Sequence, residues 1–144
     1  MQKKIIRFSP VALACTTFLI AGLPAAAETL SFKVDLKASN EVPPNDSKAS
    51  GSATVSYETA SKNVSWKGSY SGLSGPVTAA HFHGPADAGK NAGITLPIVP
   101  NTSPFEGSAT LNDAQAADLM GGRWYINIHT AAQPAGEIRG QVVK

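Results

Sequence analysis

Strict alternation of apolar and polar side chains is the feature that most limits what this chain can fold into. Between Leu30 and Lys37 every second residue is apolar, and the residues between them are polar or charged. Successive side chains of a strand point to opposite faces of a sheet, so this pattern predicts a strand with one buried and one solvent-facing side. The same alternation recurs at residues 53–57, 64–70, 124–129 and 138–142.

Turn-forming residues cut the chain into short segments. Proline has no N–H to donate to a neighbouring strand, so Pro43-Pro44 and Pro85 mark strand ends. Further strands are predicted at residues 77–83, 94–98 and 107–111. Many short strands with turns between them favour an all-β fold, either a single antiparallel β-sandwich or a small Greek-key barrel.

One short helix is predicted near residues 113–120. Asn112 precedes it as an N-cap residue, and Gln115 stands at the position that completes a capping box. Gly121 follows as a stop. No other helix is expected after the first 27 residues.

The first 27 residues have the order of a signal peptide. Basic residues at positions 3–7 precede an apolar run over 11–23, and the alanines at 25–27 form a small-residue cleavage site. The apolar run is shorter than the roughly 20 residues that a membrane-spanning helix needs. We therefore predict a signal peptide over 1–27, one domain over 28–144 without a membrane span, and export to the periplasm or the extracellular space.

Removal of this leader changes the charge and the cysteine content. The whole chain has a net charge of +2, but nine basic and ten acidic residues remain after residue 27, a net charge of about −1. A nearly neutral surface gives no electrostatic basis for binding nucleic acid, so no such partner is expected. The one cysteine, Cys15, is also removed, which excludes a disulfide and a thiol ligand from the exported domain.

All three histidines lie at the ends of predicted strands, His81 and His83 on one strand and His129 on another. Residues two apart in a strand point to the same face and lie about 7 Å apart, so both imidazoles of the first strand can approach one ion. A third imidazole from a neighbouring strand would complete a three-nitrogen site with an open position. This geometry suits copper(II), or less well zinc.

Two charged residues of the last strand are predicted to support this site. The last two strands would form a hairpin, which places Glu137 and Arg139 on the polar face of His129. Glu137 would accept the second ring N–H of His129 and fix its tautomer, and Arg139 would attract anions. The alternative is that the histidines are hydrogen-bonded polar residues of the fold, and that Glu137 and Arg139 form an ordinary cross-strand ion pair.

No catalytic residue is assigned. Asp87 and Asp113 have no paired carboxylate at a certain spacing, and no serine lies in a nucleophile elbow. Phosphate-binding loops and dinucleotide fingerprints are absent from the sequence. An enzyme is therefore not the favoured interpretation.

Six short motifs follow one another along the chain. They are Asn40-Glu41-Val42-Pro43-Pro44, Gly51-Ser52-Ala53-Thr54-Val55, Gly72-Leu73-Ser74-Gly75, Ala80-His81-Phe82-His83-Gly84-Pro85, Tyr125-Ile126-Asn127-Ile128-His129-Thr130 and Pro134-Ala135-Gly136-Glu137-Ile138-Arg139-Gly140-Gln141. In this order they resemble the chordin-type, or CHRD, domain family over nearly all of the predicted domain. The resemblance implies an exported domain, since such domains occur in secreted animal proteins and in stand-alone exported bacterial proteins.

A second similarity is to copper/zinc superoxide dismutases. Those enzymes place a His-x-His pair on one strand and another histidine after a late Gly-Arg-led strand, as His81, His83 and His129 are placed here. Arg139 is similar to their C-terminal active-site arginine. The resemblance implies a superoxide dismutase-like sandwich and a copper site of three histidines, whereas the bridging histidine, the zinc cluster and the disulfide cysteines have no counterpart in this chain.

Three functions remain open from the sequence. The first is an exported CHRD-domain protein that binds copper, or zinc, through its three histidines. The second is a protein or matrix interaction module with a protein partner, in which the histidines only shape the fold. The third, least favoured, is an oxidoreductase of dismutase type.

Overall fold

The computed structural model describes residues 27–144, so all of the predicted signal peptide except Ala27 lies outside the described residues. This part of the chain contains eight β-strands and one α-helix. They are β1 (Thr29–Lys37), β2 (Ser50–Glu58), β3 (Asn63–Ser71), β4 (Val77–His83), β5 (Ile94–Pro97), β6 (Phe105–Thr110), α1 (Asp113–Met120), β7 (Tyr125–Thr130) and β8 (Ile138–Gln141). A single 3₁₀ turn, Ala38–Asn40, follows β1.

All eight strands belong to one sheet in the order β5-β4-β7-β8-β1-β2-β3-β6, and every pairing is antiparallel. The hairpins predicted between β2 and β3 and between β7 and β8 are both present, and β5 lies at an edge as expected. Strand β8 pairs with β1, which joins the C-terminal part of the domain to its start. The predicted all-β antiparallel class with one short helix is confirmed.

The sheet is strongly curled into a half-barrel. Trp66 on β3 and Phe82 on β4 are separated by four strands in the sheet order, yet their ring centroids are 5.1 Å apart in an edge-to-face contact. Trp124 also packs against Phe82, with ring centroids 5.7 Å apart. Aromatic side chains from distant strands therefore meet inside the curl and fill the core.

The alternation of β1 is explained by its position beside β2. Phe32 pairs with Val55 and Val34 with Ala53, and all four side chains are buried on the concave side. Burial of each large apolar side chain contributes about 2 kcal/mol. The intervening polar residues of β1 remain in solvent.

Helix α1 spans the predicted residues and has the predicted caps. The Asn112 side chain accepts from the Gln115 N–H at 2.9 Å, and the Gln115 side chain accepts from the Asn112 N–H at 3.0 Å. Leu119 is the large side chain that α1 buries in the core. Within residues 27–144, no helix has the length and apolar character needed to cross a membrane.

Strand β7 is buried on both sides, which its alternation did not predict. Ile126 and Ile128 face the core, but Tyr125 and Asn127 on the other side are also buried. The loop after β4 covers Tyr125, whose hydroxyl accepts from the Ala92 N–H at 3.1 Å. This covered side of the sheet holds the three histidines.

Candidate metal centre

Strands β4 and β7 bring the three histidines together. They are adjacent and antiparallel, and their register pairs His83 with Tyr125 and Ala79 with His129. The ring of His81 lies 5.6 Å from that of His83 and 5.3 Å from that of His129, measured between centroids. The rings of His83 and His129 are 6.0 Å apart. The sequence-based expectation that these imidazoles converge agrees with this arrangement.

The nitrogen atoms of the cluster are close to the spacing that one ion requires. One ring nitrogen of each histidine lies within 4.8 Å of the others. Nitrogen ligands at about 2.0 Å from one metal are separated by about 3.3–4 Å. Small side-chain rotations would therefore bring all three nitrogens to a common ion.

Backbone carbonyls hold two of the rings in one tautomer. His83 Nδ1 lies 3.0 Å from the Ala92 carbonyl oxygen, and His129 Nδ1 lies 3.0 Å from that of Pro134. A carbonyl oxygen can only accept, so each Nδ1 donates and each neutral ring keeps its lone pair on Nε2. Both rings thus present Nε2 as a potential metal ligand.

A buried nitrogen without a hydrogen-bond partner is present on each ring. Among the described residues, His81 Nδ1, His83 Nε2 and His129 Nε2 are all buried and form no hydrogen bond. Leaving a buried polar atom unpaired costs about 1–3 kcal/mol. Three such atoms on neighbouring imidazoles fit a site built to coordinate a cation.

The environment keeps two of these rings in the neutral form that binds metal. Burial lowers the pKa of His81, and the neighbouring His129 lowers it further. Burial also lowers the pKa of His83, and this effect outweighs the hydrogen bond to Ala92. Both imidazoles are therefore neutral near pH 7 and available as ligands.

Tyr125 supports His83, although sequence analysis did not assign it to the site. The two rings are stacked, with centroids 4.9 Å apart and an interplanar angle of 4°. Tyr125 and His83 hydrogen-bond to the same residue, Ala92. The sequence did offer one clue. Tyr125 lies four residues before His129 in the same strand, and residues an even number of positions apart in a strand share a face.

Arg139 lies near the histidines but is separated from them by Tyr125. Its guanidinium Cζ lies 3.4 Å from the centroid of the Tyr125 ring. Two of its nitrogens donate to the Lys90 carbonyl at 2.6 Å and to Asn91 Oδ1 at 2.9 Å. Arg139 therefore holds the loop after β4 in place, and the predicted anion-attracting role at the histidines does not match these contacts.

Glu137 forms hydrogen bonds with partners other than His129. Its carboxylate accepts from Ser47 Oγ at 2.6 Å, Thr130 Oγ1 at 2.6 Å and the Ser74 N–H at 2.8 Å. The predicted hydrogen bond from His129 is instead made to Pro134. The physical reason is that Glu137 lies in a bend before β8, where the alternation of side chains in an extended strand no longer applies.

A comparison with protein families adds an independent result to this geometry. The model of the CHRD domain matches residues 32–142, which include all three histidines. Comparisons with curated proteins and with solved structures found no match. The similarity to copper/zinc superoxide dismutases stays a prediction.

Proposed function

This chain belongs to the CHRD domain family, and we propose that it is an exported metal-binding protein that coordinates copper through His81, His83 and His129. The observation that carries the proposal is the set of three buried ring nitrogens without hydrogen-bond partners, one on each of these neighbouring imidazoles. Zinc is the second choice of metal.

The donor set favours these two metals. Among residues 27–144 the cluster contains histidines and no carboxylate or thiolate. Imidazole nitrogen suits copper and zinc, whereas magnesium and calcium prefer oxygen ligands. Copper(II) is placed first because it binds a given set of nitrogen ligands more tightly than zinc.

Export is part of the proposal and is supported by the order of residues 1–27, with basic residues, an apolar run and alanines before Glu28. Mass spectrometry of protein recovered from the periplasm or the medium should find a chain that begins at Glu28. Recovery from the cytoplasm with residues 1–27 intact would contradict export.

Calorimetric titration of the exported protein with copper(II) and with zinc tests the metal site. We expect one equivalent of copper to bind, with an EPR spectrum that shows nitrogen ligands. A variant with both His81→Ala and His83→Ala should bind copper at least about 100-fold more weakly. The exposed Lys67→Ala variant serves as the control and should bind like the parent.

Equal, weak copper binding by the parent and the double histidine variant would reject a metal centre. The interaction module with structural histidines would then be the better interpretation. A comparison of thermal unfolding before and after chelation gives a second reading, because a module of that kind should not change its stability when metal is removed.

A further inference from the structure

A cavity lies on the far side of Tyr125 from His83, one of the proposed metal ligands. Its volume is about 310 Å³, and it lies between the 3₁₀ turn after β1, the loop after β4 and strand β8. Glu41 lines one wall, Arg139 lines another, and Ala88 contributes from the loop. Two of the six sequence motifs, those of Glu41 and Arg139, meet here without taking part in the metal centre.

Both ionisable groups of this cavity are buried, and they do not form an ion pair with each other. Arg139 is 2% exposed and Glu41 is 7% exposed. The ion pairs within residues 27–144 are Lys37 with Asp35, Lys62 with Asp113 and Arg123 with Asp118. Two opposite charges thus line one cavity without direct contact, although buried charges are costly unless paired.

The partners that Arg139 and Glu41 do have are neutral. Arg139 donates to the Lys90 carbonyl and to Asn91 Oδ1 and lies over a tyrosine ring, so no carboxylate neutralises it at close range. Glu41 Oε1 accepts from Asn127 Nδ2 at 2.6 Å. Glu41 and Arg139 attract each other across the cavity, but within the described part of the chain neither has an opposite charge in direct contact, and the missing contact partners have opposite signs.

We propose that this cavity binds a small free α-amino acid, with the ligand carboxylate at Arg139 and the ligand ammonium at Glu41. A zwitterion supplies both missing charges in one molecule and is itself neutral. Guanidinium groups bind carboxylates through paired, charge-assisted hydrogen bonds. The volume lies at the lower end of the range for small-molecule sites, which is ample for a single small α-amino acid such as alanine.

The experiment compares three probes of similar size by calorimetry at about pH 8.5, above the pKa of about 7 of Glu41, so that this carboxylate is ionised: L-alanine, propionate and ethylamine. Alanine should bind at least about tenfold more tightly than either of the other two, because each of them supplies only one charge. Propionate binding as tightly as alanine would indicate a simple anion site and overturn the proposal. Saturable binding by none of the probes would also overturn it.

Amino acids also chelate copper, so the parent protein freed of metal with a chelator and then dialysed provides the control for metal-mediated binding. Alanine should bind the metal-free protein as tightly as it binds the copper-loaded protein. Loss of alanine binding in the metal-free protein would place the ligand at the metal and overturn the proposal. This outcome is distinguishable from a failure of the metal centre itself, which is measured with copper alone.

Two further variants locate the site. Glu41→Gln keeps an oxygen for Asn127 but removes the charge, so alanine should lose at least about tenfold in affinity and propionate should not. Ala88→Phe leaves both charged groups in place and narrows the cavity from an exposed position, so it should weaken alanine binding without lowering the melting temperature. Unchanged alanine binding in both variants would exclude this cavity.

Discussion

Glu137 is fully buried and nevertheless ionised, because three donors surround its carboxylate. Burial by itself would raise the pKa of Glu137, but the hydrogen bonds from Ser47, Thr130 and Ser74 lower it below the ordinary value. The carboxylate thereby connects the segment before β2, the turn before β4 and the end of β7. A buried charge of this kind stabilises the fold only while all of its partners remain.

Substitution Glu137→Gln should lower the free energy of unfolding by about 3 kcal/mol at neutral pH. In the variant, the side-chain amide nitrogen of the introduced glutamine faces one of the groups that donate to the carboxylate in the parent, so two hydrogen-bond donors oppose each other. The remaining hydrogen bonds are weaker because the side chain no longer carries a charge. Urea unfolding at neutral pH measures the loss, and the exposed Glu106→Gln variant is the control.

The pH dependence of this loss has a defined sign. The folded-state pKa of Glu137 is depressed, so its stabilisation is present above its unfolded value of 4.5 and is lost as pH falls through the folded value. The difference in the free energy of unfolding between the parent and the Glu137→Gln variant should therefore become smaller at acid pH. If this difference in unfolding free energy stayed constant as the pH fell well below 4.5, the charged form of Glu137 would not be what stabilises the fold.

Glu41 has the opposite effect on the pH dependence of stability, because its pKa is raised in the folded protein. Burial raises its pKa from 4.5 to about 7, although Arg139 and the hydrogen bond from Asn127 act to lower it. The folded state therefore binds this proton more tightly than the unfolded state. Its stabilising contribution is complete below pH 4.5, falls as pH rises through 7, and amounts to about 3 kcal/mol in total.

Substitution Glu41→Gln should remove this part of the pH dependence. We expect the variant to be more stable than the parent at about pH 9 and to lose that advantage at about pH 5, because the neutral amide carries no ionisation cost. Denaturant unfolding at both pH values measures the difference. A variant that is less stable than the parent at the higher pH would show that the ionised carboxylate is favourable.

At the scale of elements, the loop between β4 and β5 determines how the histidine cluster is held. Ala92 accepts from His83 Nδ1 and donates to the Tyr125 hydroxyl. Arg139 and Gln141 of β8 anchor the same loop, since Gln141 Nε2 donates to the Ala86 carbonyl at 2.9 Å. Strand β8 thus acts on His83 through a loop rather than through direct contact.

Substitution Tyr125→Phe tests this connection, and it rests on the proposed metal site. The variant keeps the ring stacked on His83 but removes the hydroxyl that binds Ala92, so the carbonyl that orients His83 is held less firmly. Copper affinity should fall by about tenfold, the lower limit for loss of a group that orients a ligand.

The matched control for this prediction is Tyr57→Phe, because Tyr57 is a buried tyrosine of β2 on the core side of the sheet. It should leave copper affinity unchanged even where it alters stability. Equal copper affinity in the parent, the Tyr57→Phe variant and the Tyr125→Phe variant would show that the loop does not orient His83.

At the scale of the whole molecule, a single curled sheet encloses the hydrophobic core of residues 27–144, so no second sheet is needed to cover it. Trp66 and Phe82 meet across the interior because the strands between them bend the sheet back on itself. The three histidines lie on strands β4 and β7, which come together only in this folded sheet. A metal bound there should therefore stabilise the fold as a whole.

Copper at about 100 times its dissociation constant should raise the free energy of unfolding by about 2.7 kcal/mol, because only the folded chain presents all three ligands together. Thermal unfolding with and without copper measures this as a higher melting temperature. The variant with His81→Ala and His83→Ala should show no such rise. An equal rise in that variant would mean that copper binds elsewhere.

Much of the fold follows from local patterns in the sequence. The alternation between Leu30 and Lys37 depends only on strand geometry and on the preference of apolar side chains for the interior, so it predicted β1 correctly. The capping residues Asn112 and Gln115 act within one turn, so they predicted the helix. The three histidines were identified because their strand parity places His81 and His83 on one face.

The sequence by itself determined the all-β class and the short helix, because each depends on interactions between residues close in the chain, and it identified the candidate metal ligands from residue type and strand periodicity. Only the tertiary structure decided that Glu137 turns toward Ser47, Ser74 and Thr130, and that Tyr125 and Arg139 form a layer beside the histidines. Those positions depend on contacts between segments far apart in sequence. Strand periodicity states which face a side chain occupies, but not which segment covers that face.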